Sequence, residues 1–98
     1  MNKNDVILEA IYIALEEVNR MLPVSERIVK SKDISLIGPS ASLDSLLLMN
    51  LIVEIEQQIE ITFDKSIILT DENAMSHNPN PFTSVASLVE YISIVLEK

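Results

Sequence analysis

The sequence predicts an all-α protein, a single domain over residues 1–98 built as a bundle of three main helices plus one short helix, with a long first loop. Three observations lead there. Three stretches place their apolar residues at the i, i+3, i+4, i+7 spacing of a helix with one buried face. Hydrophobic residues make up 48% of the chain but aromatics only 4%, so the core is aliphatic, which suits packed helices better than a sheet sandwich. Ninety-eight residues allow one modest core and leave no room for a second domain.

The first helix is expected over residues 3–22, where Val6, Ile7, Ala10, Ile11, Ala14, Leu15, Val18 and Leu22 form one stripe and Pro23 closes it. Residues 23–43 carry five serines and the only glycine, Gly38, beside Pro39, with Ile28, Ile34, Leu36 and Ile37 scattered among them. That pattern reads as a long loop pinned to the core, and its length points to function or to a short element inside it. The second helix is expected over residues 44–59, free of Gly and Pro, with Asp44 as N-cap. Leu48, Ile52, Ile55 and Ile59 are its expected core stripe. Leu46, Met49 and Val53 form a further apolar stripe that one buried face does not need.

Residues 60–69 alternate weakly and are expected to be extended or a short buried link. Thr70 is placed to cap a short helix over 71–75, and HNPNP at 77–81 is turn chemistry. The last helix is expected from 83 or 84 to the C-terminus, with Val85, Leu88, Val89, Ile92, Val95 and Leu96 on its buried face.

The net charge of −8 is unevenly placed. Residues 1–32 hold five acids and five bases, whereas residues 33–98 hold ten acids against Lys65 and Lys98. This argues against phosphate-backbone binding and for partners with basic docking surfaces, so nucleic acid is not expected. Without cysteine there is neither a disulfide framework nor a thiolate metal site. The N-terminus lacks an uninterrupted apolar core and a cleavage site, and no run is long enough to span a membrane, so a cytoplasmic location is expected.

Ser42-Leu43-Asp44-Ser45-Leu46 opens the second helix, and LLMNLIVEIEQQIEI follows it. This resembles the D-S-L attachment motif and second helix of the acyl carrier proteins. The resemblance covers nearly the whole chain: a long first helix, a long loop, the D-S-L helix, a short helix, and FTSVASLVEYI, which looks like the family's closing helix. It implies that Ser45 bears a covalent 4′-phosphopantetheine arm, with Asp44 and Leu46 as its flanking motif residues. It implies no catalysis by the chain itself. The partners it implies are a phosphopantetheinyl transferase, a ligase that loads an acyl or aminoacyl group, and a downstream transferase or synthase. Leu46, Met49, Val53 and Glu54 are then the candidate partner-binding residues, and a monomer is expected. A helix N-terminus suits the anionic phosphodiester, because free N–H groups and the positive end of the macrodipole lie beside it. Asp44 repels that phosphate and is assigned to capping and, by resemblance, to orienting the chain in the transferase.

Leu47 and Leu48 follow the motif where housekeeping carriers of the family usually place an acidic or polar residue. Asn50, Gln57 and Gln58 are neutral where acids are common, and the stretch over 64–82 is longer than usual. The pattern is similar to diverged bacterial carriers of specialised biosynthesis. The competing reading is a small helical adaptor without a prosthetic group, binding a protein through Leu46, Met49 and Val53. A serine-hydrolase site finds little support, since the only imidazole, His77, lies far along the chain in a turn. Glu54, Glu56 and Glu60 read as a solvated helix face rather than a metal site.

Overall fold

A computed structural model describes residues 2–37, 44–70, 76 and 80–97. Among them are three α-helices and no strand: α1 over Lys3–Asn19, α2 over Ser45–Phe63 and α3 over Val85–Leu96. Two single-turn 3-10 helices, Val24–Glu26 and Pro81–Thr83, are also described, and Ser76 is helical. The short helix expected over 71–75 lies outside the described residues.

The α1 helix starts where Asn2 caps it, its side chain accepting the Asp5 N–H at 2.9 Å. Ile7, Ala10, Ile11, Ala14, Leu15 and Val18 are buried along one face, as the spacing predicts. The helix ends at Asn19, three residues before the expected end at 22. Its last carbonyls are taken locally: the Arg20 N–H bonds to Glu16 O, and Arg27 Nε donates to Asn19 O at 3.1 Å and Leu22 O at 3.3 Å. Leu22 is only half-buried.

The connection after α1 is pinned to the helix by polar clasps. The Asn19 side-chain amide pairs with the backbone of Ile28 in both directions, accepting its N–H at 2.8 Å and donating to its carbonyl at 2.9 Å. Lys30 reaches Glu16 and lies over the Tyr12 ring, 5.8 Å from its centre. Ile28 and Leu36 enter the core, while Ile34 and Ile37 pack at its edge. The loop is thus anchored as expected, and the 3-10 turn is the short element its length suggested.

Further along, the same loop closes the N-terminus of α3. The Val85 and Ala86 N–H groups donate to Ile34 O and Lys32 O, each at 3.1 Å. Ser84 Oγ accepts the Ser87 N–H, and Ser84 O accepts that of Leu88. Every first-turn donor of α3 is therefore satisfied, and the helix begins at Val85 as the sequence predicted to within two residues.

The α2 helix runs four residues past its expected end, through Phe63. Asp64 stops it in the left-handed conformation, with φ 56° and ψ 36°. Residues 60–63 are thus helical rather than extended. Leu51, Ile52, Ile55 and Ile59 form its buried face, while Leu48, expected there, is half-buried. Beyond the helix, Ile67 and Leu69 turn back into the core.

Three contacts orient the bundle. Lys3 Nζ donates to Ser93 O at 3.2 Å and pairs with Glu97 at 2.9 Å, so α1 and α3 are antiparallel. Lys65 Nζ donates to Leu96 O at 2.8 Å, bringing the ends of α2 and α3 together. Leu22 and Asp44 share one cavity wall, so α1 ends where α2 begins. Two lysines thus face the negative end of α3, and the N-termini of α2 and α3 share the opposite end.

Candidate functional site

Asp44 and Ser45 meet at the start of α2, at the end of the bundle remote from the lysine-capped helix termini. Asp44 Oδ1 accepts the Leu47 N–H at 2.8 Å and Asp44 O accepts that of Leu48 at 2.9 Å. Asp44 is therefore the N-cap that the sequence predicted. Ser45 is the first helical residue. The N–H groups of Ser45 and Leu46 have no intrahelical acceptor and find none among the described residues. In α3 the corresponding donors, of Val85 and Ala86, are both taken by the loop.

From this turn the surplus apolar stripe descends along α2 and stays outside the core. Leu46 is 72% exposed, Met49 49% and Val53 46%. Glu54 lies beside them, half-buried. The four candidate partner-binding residues thus occupy one accessible side of α2, beginning next to Ser45.

A cleft of about 370 Å³ flanks this side. Ile37, Leu48, Met49, Ile52 and Phe82 give it apolar walls, and Thr70 and Asn80 line it as well. Phe82 is buried and held by the Pro81–Thr83 turn, whose cap Asn80 accepts the Phe82 N–H at 2.9 Å. This end of the long 64–82 stretch is therefore anchored in the core. Leu48, half out of the core, is accounted for by the cleft it lines. A second cavity, of about 450 Å³, lies between Leu22, Glu26, Asp44 and Leu47.

The residue that sequence reasoning missed is Glu56. Its carboxylate accepts the Leu69 N–H at 2.8 Å and ties the returning chain to α2. Grouping it with Glu54 and Glu60 as a solvated face overlooked its register, eight residues after Leu48 and four after Ile52 on the apolar side of the helix.

Displaced ionisations occur away from Ser45. Hydrogen bonding from Lys30 holds the Glu16 carboxyl below its ordinary value and raises Lys30 in turn; hydrogen bonding from Lys3 lowers Glu97. Among the described residues no cluster of His, Cys, Asp or Glu is placed to hold a metal ion, and no helix is long and apolar enough to cross a membrane. His77 lies outside the described residues. No family model, no curated protein and no solved structure matches the chain.

Proposed function

We propose that this chain is a carrier protein of the acyl-carrier type, with an acyl-carrier-like bundle, Ser45 as the attachment point of a 4′-phosphopantetheine arm, and a role in specialised biosynthesis. The observation that carries the reading is the position of Asp44-Ser45-Leu46: the motif falls on the cap and first turn of α2, where the N–H groups of Ser45 and Leu46 take no acceptor among the described residues. An anionic phosphodiester on Ser45 fits that end of the helix.

When attached, the arm supplies a thiol that carries an acyl or aminoacyl group as a thioester. The chain's own residues do three things. Asp44 fixes the start of α2, and so the place where Ser45 is offered to a phosphopantetheinyl transferase. Leu46, Met49 and Val53 offer an apolar contact strip, with Glu54 beside it for a basic partner surface. The cleft of Leu48, Ile52 and Phe82, one to two turns from Ser45, offers shelter to an apolar cargo. The chain itself performs no reaction in this reading. Its partners are the transferase, a loading ligase and a downstream transferase or synthase.

The exposure of Leu46, Met49 and Val53 also favours the adaptor reading, in which that strip binds a protein and Ser45 is an ordinary first-turn residue. Intact-protein and peptide mass spectrometry of the chain isolated from its native cells separates the two. The carrier reading expects phosphopantetheine, with or without cargo, on the peptide containing Ser45. A uniformly unmodified Ser45 overturns it in favour of the adaptor.

A further inference from the structure

We propose that Glu56 is a positioning residue that sets the length of acyl chain the apolar cleft accepts; the proposal rests on the carrier reading above. Leu48, Ile52 and Glu56 fall at i, i+4 and i+8, on one line of α2. The first two wall the cleft. The third, one turn beyond Ile52, is not itself a wall; its Oε2 accepts the N–H of Leu69 at 2.8 Å and ties the returning chain to the helix. Leu69 is fully buried, and the next residue, Thr70, lines the cleft. The position of Thr70 as a wall of the cleft therefore depends on the Glu56 clasp on the residue before it.

The segment is held at both ends. Asp64 in the left-handed conformation and Lys65 on Leu96 O fix where it leaves α2, and Glu56 fixes where it arrives at the cleft. Between these anchors only Ile67 and Leu69 are buried, while Ile68 faces outward. At 1.5 Å of rise per residue, Glu56 lies roughly 16 Å along α2 from Ser45. A chain entering from the Ser45 end passes Leu48 and Ile52 and meets Thr70, which the clasp holds in place. A longer chain must push back the Leu69 segment, at the expense of a hydrogen bond to a charged acceptor.

The experiment uses E56A and E56Q beside the wild type, in two arms. In the first, Ser45 is loaded from acyl-coenzyme A of increasing chain length, and thioester cleavage by hydroxylamine is timed for each length. In the second, the unmodified protein is titrated with straight-chain carboxylic acids of the same lengths, with Leu69 amide exchange followed by NMR. In the wild type, protection and affinity rise with length to a limit and then fall. In E56A the Leu69 amide exchanges about fivefold faster or more, as the loss of one such bond predicts, and the limit moves to longer chains. E56Q keeps a carbonyl acceptor and restores both. A length limit unmoved in E56A despite faster Leu69 exchange overturns the proposal, and so does unchanged exchange. E56D, one methylene short, supplies the same comparison if E56A does not fold. Failure of Ser45 to accept any arm counts against the carrier reading alone, because the second arm still decides whether Glu56 limits the cleft.

Discussion

Leu51 and Val53 are two residues apart on α2 and opposite in environment, so substituting each separates core from the exposed strip. Leu51 is fully buried in the cluster shared with α1. Truncating it to Ala removes three buried carbons and leaves a cavity, which costs about 2–5 kcal/mol. A chain of this size has about 5–15 kcal/mol in total, and its melting midpoint falls by roughly 4–8 °C per kcal/mol. Leu51→Ala is therefore expected to lower the midpoint by about 10 °C or more. Val53 is 46% exposed, so Val53→Glu forfeits only part of a side-chain burial, about 1 kcal/mol. Circular dichroism melts of the two variants measure this contrast. With Val53→Glu folded, Ser45 modification should stay normal while transfer of cargo by the cognate partner falls, and Met49→Glu should behave alike. Equal destabilisation by Leu51→Ala and Val53→Glu would show that the strip is core, and normal transfer in both Glu variants would refute docking.

Two further outcomes follow from the polar anchors. Asn19→Ala leaves both backbone groups of the buried Ile28 without their partner, at a cost of about 1–3 kcal/mol; urea unfolding reads it, and an unchanged midpoint would contradict the clasp. Glu16 and Glu97 are held below their ordinary value of 4.5, so their pairs with Lys30 and Lys3 contribute stability above that value and lose it as pH falls through the lowered ones. Glu16→Gln with Glu97→Gln should flatten the acid limb of stability against pH, less so in high salt, and superimposable curves would contradict the assignment.

Much of this architecture is legible in the sequence because the helices obey one periodicity. The buried residues of α1 and most of those of α3 follow from spacing, although Tyr91 is buried outside the expected stripe and Val95 within it is only half-buried, and the Asp44 cap follows from residue type. The α2 helix is harder. Apolar residues surround most of it, so spacing admits Leu48 as readily as Leu51, and only packing against α1 makes Leu51 the buried one. Its end was missed because Glu60, Ile61, Thr62 and Phe63 carry no breaker; the stop is the left-handed Asp64, a conformation that composition does not announce. The early end of α1 depends on Arg27, seven residues beyond Arg20, folding back onto carbonyls. Glu56 was hidden for a related reason: its partner is a backbone N–H, and no side-chain pattern reports where a backbone donor will lie. At the candidate site, the motif and the surplus strip were readable one residue at a time. The cleft was not, because Ile37, Thr70, Asn80 and Phe82 join α2 only through the fold.

The most direct test of the central claim is covalent. Folded wild-type protein and Ser45→Ala are incubated with coenzyme A and a broad-specificity phosphopantetheinyl transferase, and their intact masses are read. In this reaction the Ser45 hydroxyl attacks the diphosphate of coenzyme A, its oxygen bonds to phosphorus, the proton passes to the transferase, and 3′,5′-adenosine bisphosphate leaves. The account predicts one added phosphopantetheine on the wild type and none on Ser45→Ala. An unmodified wild type, or equal modification of both proteins, would contradict it.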